Sequence, residues 1–310
     1  MTFERTIKEY QKKIDRVIAT LMQGVSSRSL RTPISHVVDA GGKRIRPLIT
    51  MLACESAGGN ANDALNAAVA VELLHTFTLV HDDIMDNAAL RRGLQTVHTK
   101  WDANVAILAG DTIAALAMQA LADTRSPRLG LIEQFFAEAF VEVCDGQAMD
   151  KDLEAGTTAD RKKYFTMIEK KTAAMVSMSA AVGGCIGSGD PQRINALARF
   201  GKLIGVAFQI RDDALDITAD KKKFGKEMGS DIREGKKTYL LVTAATAARK
   251  AEHKVLIKKY ISQKGLQGSD VNKMAAVYRD SGALALAEQE IHTITADALE
   301  AVDTLPASEA

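Results

Sequence analysis

A formal net charge of +1 over 310 residues, 40 Lys and Arg against 39 Asp and Glu, gives no bulk electrostatic case for a nucleic-acid or anionic-membrane partner. A hydrophobic share of 46% beside 25% charged residues is the composition of a globular chain with a sizeable core, and residues 1–310 read as a single domain. Three widely spaced cysteines, Cys54, Cys144 and Cys185, lack metal-ligand spacing and read as small core residues in a reducing, cytoplasmic setting, and the charged start Thr2-Phe3-Glu4-Arg5 holds no signal-peptide run.

Few β-branched runs and only five prolines argue for helix throughout. Phe3 to Met22 is amphipathic, with Ile7, Ile14, Val17, Ile18 and Leu21 on one side. A second helix is expected to open at Arg46-Pro47, where proline fits the first turn, and to end at Gly58-Gly59. Asn62 or Asp63 then caps a helix that runs through His75 to about Asp86, with Arg91-Arg92-Gly93 as the following loop. Asn104–Ala122, Leu131–Met149 and Lys162–Ile186 are each expected as one helix, the last stopped by Gly187-Ser188-Gly189-Asp190-Pro191. Gln192 to about Ala219 is another, Asp220–Lys237 reads as a Lys- and Gly-rich loop, and helices resume at Thr238 and continue to near Asp303.

The most apolar stretches are interrupted by Glu72 and His75, by Asp111, and by the Gly and Ser residues after Ala173, so no transmembrane segment is expected. Residues 67–80 and 203–217 are apolar on more than one helical face and belong inside a bundle. Both runs end in carboxylates. A polar mouth over an apolar cavity suits a ligand with a charged head and a greasy tail.

Those carboxylates form two Asp-Asp-x-x-Asp patterns, Asp82-Asp83-Ile84-Met85-Asp86 and Asp212-Asp213-Ala214-Leu215-Asp216. On a helix, positions i and i+4 share a face, so Asp82 lies beside Asp86 and Asp212 beside Asp216, an unfavourable pairing of like charges unless a cation neutralises it. Short oxygen ligands suit a hard cation, above all Mg²⁺ with a phosphate completing the shell. An EF-hand is excluded, because its glycine and glutamate are missing after Asp82. Basic clusters accompany the aspartates: Gly41-Gly42-Lys43-Arg44-Ile45-Arg46-Pro47, Arg91-Arg92-Gly93, Lys171-Thr172, Lys226 within Phe224–Asp231, and Gly235-Lys236-Lys237-Thr238. None matches the P-loop or a dinucleotide fingerprint. Taken together, arginine forks, lysine point charges and a Mg²⁺ bridge are a recipe for diphosphate. No nucleophile triad and no zinc or di-iron spacing is present.

At these residues the chain resembles the trans-isoprenyl diphosphate synthases, from Gly41-Gly42-Lys43-Arg44 to Lys236. It is most similar to archaeal-type short-chain geranylgeranyl diphosphate synthases, through His75-Thr76-Phe77-Thr78-Leu79-Val80-His81-Asp82-Asp83-Ile84-Met85-Asp86 and Ser230-Asp231-Ile232-Arg233-Glu234-Gly235-Lys236-Lys237-Thr238. The resemblance implies an all-α terpenoid-synthase bundle around a central apolar cavity, a homodimer, and head-to-tail condensation of isopentenyl diphosphate with an allylic diphosphate (dimethylallyl, geranyl or farnesyl). By the same resemblance Lys43, Arg46, His75 and Arg92 would hold isopentenyl diphosphate. Asp82 and Asp86 would bind two Mg²⁺ on the allylic diphosphate and Asp212 a third, with Asp83 and Asp216 in supporting roles. Arg91, Lys171, Lys226 and Lys236 would contact the allylic diphosphate, and Thr172 and Gln209 would sit near the developing cation.

Product length is expected to be set on the helix before Asp82, where Phe77 and Leu74 lie roughly 7 and 12 Å below the metals at about 1.5 Å per residue. One aromatic, Phe77, beside the small Thr78 resembles enzymes that stop at C20, with C15 and C25 as alternatives. The ending Thr304-Leu305-Pro306-Ala307-Ser308-Glu309-Ala310 lacks the basic tail that closes the site in some relatives. Three other readings compete. A terpene cyclase would not need the second aspartate motif or the Gly-Gly-Lys-Arg region. A non-catalytic modulatory subunit would usually have lost the metal-binding aspartates. A ligand-free helical scaffold would show no magnesium-dependent binding of a diphosphate.

Overall fold

The structure, a computed structural model, describes residues 3–218, 228–303 and 305. Among these the regular structure is helical apart from one hairpin of two two-residue strands, so the all-α expectation holds. It divides into two compact units: residues 1–140 with 175–198 and 303–310, and residues 141–174 with 199–302.

The first unit contains α1 (Phe3–Met22), α2 (Arg28–Val38), α3 (Ile45–Ser56), α4 (Leu65–Met85), a hairpin of β1 (Leu90–Arg91) and β2 (Leu94–Gln95), α5 (Val97–Lys100) and α6 (Ala103–Ala122). It also takes the start of α7 (Leu129–Ala155), most of α9 (Ala174–Gly187) and the first turns of α10 (Pro191–Thr218). Its centre is α4, whose Ala67, Ala68, Val69, Ala70 and Val71 are fully buried. Small side chains on α6, Ala106, Ala109, Gly110 and Ala117, let the two helices approach closely. Each Val or Leu buried there contributes about 1.5–3 kcal/mol relative to exposure. α9 packs on α3 through glycine: a Cβ at Gly183 would run into the Thr50 carbonyl and one at Gly187 into that of Cys54.

Several boundaries differ from expectation for identifiable reasons. α2 was not anticipated, because Pro33 lies inside it and proline ordinarily breaks a helix interior; the buried face of Pro33, Ile34 and Val38 compensates. Neither Asn62 nor Asp63 caps α4: both lie inside a 3₁₀ turn, Ala61–Ala64, that Asn60 caps by accepting from the Asn62 N–H, and the N-cap of α4 itself is Ala64. Arg92 and Gly93 occupy the left-handed region at the hairpin turn, so the expected loop is a tight antiparallel reversal. α7 continues past Met149 to Ala155. Cys144 is exposed, a correction to its reading as a core residue, and none of the three cysteines is in a disulfide. Finally, the polar interruptions at Glu72, His75 and Asp111 do not take their helices below membrane-spanning size. Ala61–Met85 and Ala103–Ala122 are long and apolar enough by length and composition, and 67% and 44% of their apolar windows are buried in the protein.

The second unit takes the rest of α7, α8 (Arg161–Ile168), a π-helical turn at Glu169–Ala173, the remainder of α10, and the helices Ser230–Glu234, Tyr239–Ala247, Ala251–Gln263, Ser269–Asp280 and Ala283–Val302. Tyr164, Tyr239, Tyr260 and Tyr278 are its largest buried side chains. Tyr239–Ala247 is apolar all round and lies at the centre, opened by Thr238, whose side chain accepts from Leu241 N–H. Lys237 is 2% exposed, with its ammonium 5.9 Å from the Tyr260 ring centre. The expected single helix 162–186 is thus two helices joined by the π turn, an insertion that periodicity over a long window averages away.

Candidate functional site

In the first unit the basic loop before α3 is fixed by Arg44, which caps the helix in the left-handed conformation (φ 52°). Its guanidinium donates to Glu72 Oε1 at 2.7 Å and to Asp15 Oδ1 at 3.0 Å, and the Arg44–Glu72 pair is buried. Arg46, two residues on, places Nη1 3.1 Å from His75 Nε2, while its Nε is buried with no hydrogen-bond partner. Burial, and then the charges of Arg46, Arg92, Arg91 and Arg44, hold the His75 pKa well below the usual imidazole value. His75 is therefore neutral at pH 7 and accepts from Arg46 through Nε2. Gly42 leaves room for Arg92, since a Cβ there would stand 3.0 Å from both terminal guanidinium nitrogens. Arg46 thus meets His75 and Arg92 meets Gly42, in a region where the Arg46, Arg92 and Arg91 charges all act on His75 and Glu72 is already engaged by Arg44. Lys43 is exposed on the same loop.

Asp82 lies in the last turn of α4 and Asp86 is its C-cap, so both expected metal ligands stand at one helix end. Asp83, between them, is buried and accepts from Arg91 Nε at 2.8 Å. Burial pushes the Asp83 carboxyl up and Arg91 pulls it back down. Arg91, expected on a diphosphate, is thus held by Asp83. Below the carboxylates, Phe77 is packed against the His81 ring at 4.6 Å and edge-on to Phe140 at 5.2 Å. Gly110 makes room for His81, whose imidazole an added Cβ would strike. Thr78 donates its hydroxyl to the His75 carbonyl at 2.8 Å, and Leu74 is wholly buried. His81, Phe140 and Gly110 were not singled out in the sequence, because two of them lie on other helices and the third reads as part of the aspartate motif.

In the second unit a polar cavity of about 100 Å³ is lined by Asp150, Lys171, Gln209, Asp212, Asp231 and Lys236. The π turn carrying Lys171 and Thr172 is gripped by two glycines. A Cβ at Gly146 would collide with the Lys171 backbone nitrogen, and one at Gly205 would come within 2.6 Å of Ala173 Cα. Lys171 Nζ lies 2.6 Å from Asp150 Oδ2, a partner that sequence reasoning missed. Thr172 Oγ1 donates to Gln209 Oε1 at 2.9 Å, and Gln209 Nε2 donates to Asp213 Oδ1 at 3.0 Å. Burial raises the Asp213 carboxyl to about 6 against the pull of donors from Tyr239, Tyr164 and Gln209. Asp212 is exposed at the same helix end. Asp216 serves as a cap, accepting the Ser230 hydroxyl at 2.6 Å and the Ser230 and Asp231 N–H groups at 3.1 and 3.3 Å. Burial pushes Asp231 to about 8, opposed by Lys236, which lies 2.8 Å from Glu234. Lys226 falls outside the described residues.

Among the described residues no three or more His, Cys, Asp or Glu side chains converge into a ready-made metal cage. Asp82, Asp86 and Asp212 nevertheless fit Mg²⁺ by donor chemistry. That ion favours one or two carboxylates with water and substrate phosphate over an all-protein cage.

Residues 27–279 match the family described as Polyprenyl synthetase. The chain is 39% identical over 246 residues to the geranylgeranyl diphosphate synthase of Methanosarcina mazei, covering 79% of this chain and 76% of that protein. It is 36% identical over 282 residues to the geranylfarnesyl diphosphate synthase of Aeropyrum pernix, covering 89% and 87%. The crystal structure of geranylgeranyl pyrophosphate synthetase from Pyrococcus horikoshii has a TM-score of 0.91 and 38% identity over 98% of this chain and 93% of that one.

Proposed function

We propose that this chain, which belongs to the polyprenyl synthetase family and is a prenyltransferase that elongates prenyl chains, condenses isopentenyl diphosphate with allylic diphosphates in a Mg²⁺-dependent reaction that stops at C20. The observation that carries the reading is the Arg46–His75–Arg92 cluster, with its buried, partnerless Arg46 Nε and its neutral imidazole. A buried donor without an acceptor is costly unless a ligand supplies one, and a diphosphate is the ligand whose oxygens suit it.

Arg46, His75, Arg92 and Lys43 hold isopentenyl diphosphate. Arg91, Lys171, Lys226 and Lys236 hold the allylic diphosphate, with Asp82, Asp86 and Asp212 as the Mg²⁺ ligands. When bound, Mg²⁺ supplies electrostatic stabilisation to the diphosphate as it leaves. The allylic C–O bond breaks with its electron pair leaving on the diphosphate. The double bond of isopentenyl diphosphate then forms the new C–C bond to the allylic carbon, and the proton lost from C2 goes to the released diphosphate. Thr172 and Gln209 present oxygen atoms to the cation in the interval, and apolar side chains keep water from quenching it. Relatives that make geranylgeranyl and geranylfarnesyl products are similarly close in sequence. The C20 assignment therefore rests on Phe77, which is braced by His81 and Phe140 and so makes a stiff floor. A C15 or C25 product is the alternative.

A cytoplasmic homodimer completes the proposal. Its support is the exposed apolar Ile107, Leu108 and Met118 on α6 together with three cysteines that form no disulfide.

The test is incubation with labelled isopentenyl diphosphate, Mg²⁺ and each primer (dimethylallyl, geranyl, farnesyl diphosphate), followed by chain-length analysis. The expected product is C20, lost on chelation. A C15 or C25 product would keep the reaction and move the floor, and no incorporation by folded protein would remove the reading. Phe77→Ala is expected to lengthen the product by one or more C5 units; an unaltered product would show that the floor lies elsewhere.

A further inference from the structure

We propose that Asp213, the middle carboxylate of the second motif, is a positioning residue that dictates which end of the Gln209 amide, and which side of the Thr172 hydroxyl, is presented to the allylic cation. The inference deepens the function proposed above and rests on it.

The direction of every hydrogen bond in the chain follows from one group that can only donate. Asp213 Oδ2 lies 2.8 Å from the backbone nitrogen of Tyr239 and 2.7 Å from the Tyr164 hydroxyl. A backbone N–H has no lone pair to offer, so Oδ2 is an acceptor there, and the Tyr164 hydroxyl donates to it as well. Oδ1 is 3.0 Å from the Gln209 side-chain nitrogen. A carboxylate has no proton to give, so Gln209 must turn its NH₂ toward Asp213. Its oxygen is thereby committed to the other side, 2.9 Å from Thr172 Oγ1. Thr172 spends its single proton on that oxygen, so what remains on the Thr172 hydroxyl and the Gln209 oxygen is lone-pair density, while both Gln209 N–H bonds stay on the end turned to Asp213.

An amide has two ends of nearly equal size and shape, and only its hydrogen-bond network decides between them. Without Asp213, Gln209 could turn over, donate its N–H to Thr172, and free the Thr172 proton to point at the reacting carbon. Positive hydrogen ends beside a developing cation would raise the barrier; oxygen lone pairs lower it. Asp213 is 5% exposed, so no solvent shell competes with this arrangement and low local dielectric strengthens it. Thr172 cannot escape by moving its backbone, because Gly146 and Gly205 clamp the π turn that carries it.

The experiment is a cycle built on Asp213→Asn. The new side chain must keep its oxygen toward Tyr239 N–H and Tyr164, because the opposite setting would oppose two donors with an NH₂. Its NH₂ then faces Gln209 and inverts the amide. The expected result is a fall in kcat of roughly 10²-fold, with the KM for isopentenyl diphosphate unchanged, since no residue proposed to hold that substrate belongs to this network. Adding Gln209→Glu should restore activity by about tenfold or more over the single variant. The carboxylate introduced at 209 accepts from the new amide and again offers an oxygen to Thr172. A purely structural role for Asp213 would not be repaired by a change at 209. Gln209→Glu alone sets two carboxylates against each other and should lose activity.

With wild-type turnover established in the same assay, an Asp213→Asn variant of full kcat, or a double variant no better than the single, would overturn the positioning role while leaving the proposed reaction intact. A wild-type protein that makes no product would overturn the parent reading and this inference with it. Should Asp213→Asn alone not fold, the double variant is compared with Gln209→Glu: higher activity in the double supports the role, and equal or lower activity overturns it.

Discussion

Replacing Asp82 by alanine is expected to lower kcat by about 10³-fold or more while leaving the fold in place. Asp82 sits in the last turn of α4, half-buried rather than in the core, and alanine is the best helix former, so the stability change should stay near ±0.5 kcal/mol. The catalytic change should be far larger. Charge develops on the leaving diphosphate as the C–O bond breaks, and metal-based stabilisation of such charge contributes several kcal/mol, each 1.36 kcal/mol being about tenfold in rate. Steady-state kinetics with a Mg²⁺ titration, read beside thermal midpoints, checks both halves. Unchanged turnover would remove Asp82 from the metal assignment. A protein that has lost its cooperative transition would show that the carboxylate acts on the fold.

Glu72→Ala should act in the reverse sense, on stability first. It strips the partner from a guanidinium that is buried beside it, and removing one member of such a pair costs about 3–5 kcal/mol because the remaining charge is stranded. Asp15, which also contacts Arg44, is exposed and compensates only in part. The second consequence is local. Arg44 is the left-handed cap from which Lys43 and Arg46 are hung, so a loosened Arg44 should raise the KM for isopentenyl diphosphate more than it lowers kcat. Urea midpoints measure the first effect and the KM-to-kcat split the second. An apolar double replacement at both positions should recover stability without recovering the KM. If Glu72→Ala leaves the urea midpoint where it was, the pair does not brace the loop.

Glu72 also shows where sequence reading stops. In the sequence it is a charge interrupting an apolar run. A buried carboxylate implies a cation somewhere, but Arg44 lies 28 positions away, and no helical or strand period connects the two. Lys171 with Asp150 and Gln209 with Asp213 differ in the same way: the second pair is an i,i+4 contact that periodicity can suggest, and the first spans 21 residues and two helices. The π turn at Glu169–Ala173 was read as plain helix for a related reason. One inserted residue leaves composition and average periodicity unchanged, and the two glycines that make room for it, Gly146 and Gly205, lie on other helices.

The helical class and the family were determined by the sequence alone, and the candidate metal-binding carboxylates were picked out by it, because each is written in local spacing: apolar residues at 3.6-residue intervals, aspartates one helical turn apart, arginines and glycines at a helix start. The assignment of partners was decided only by tertiary structure. Asp216 shares a helix face with Asp212 and also caps Ser230–Glu234, and Arg91 is braced through its Nε by Asp83; neither partner is written in local spacing. A carboxylate's role depends on which donors surround it, and those donors come from segments whose proximity is settled by packing rather than by order along the chain.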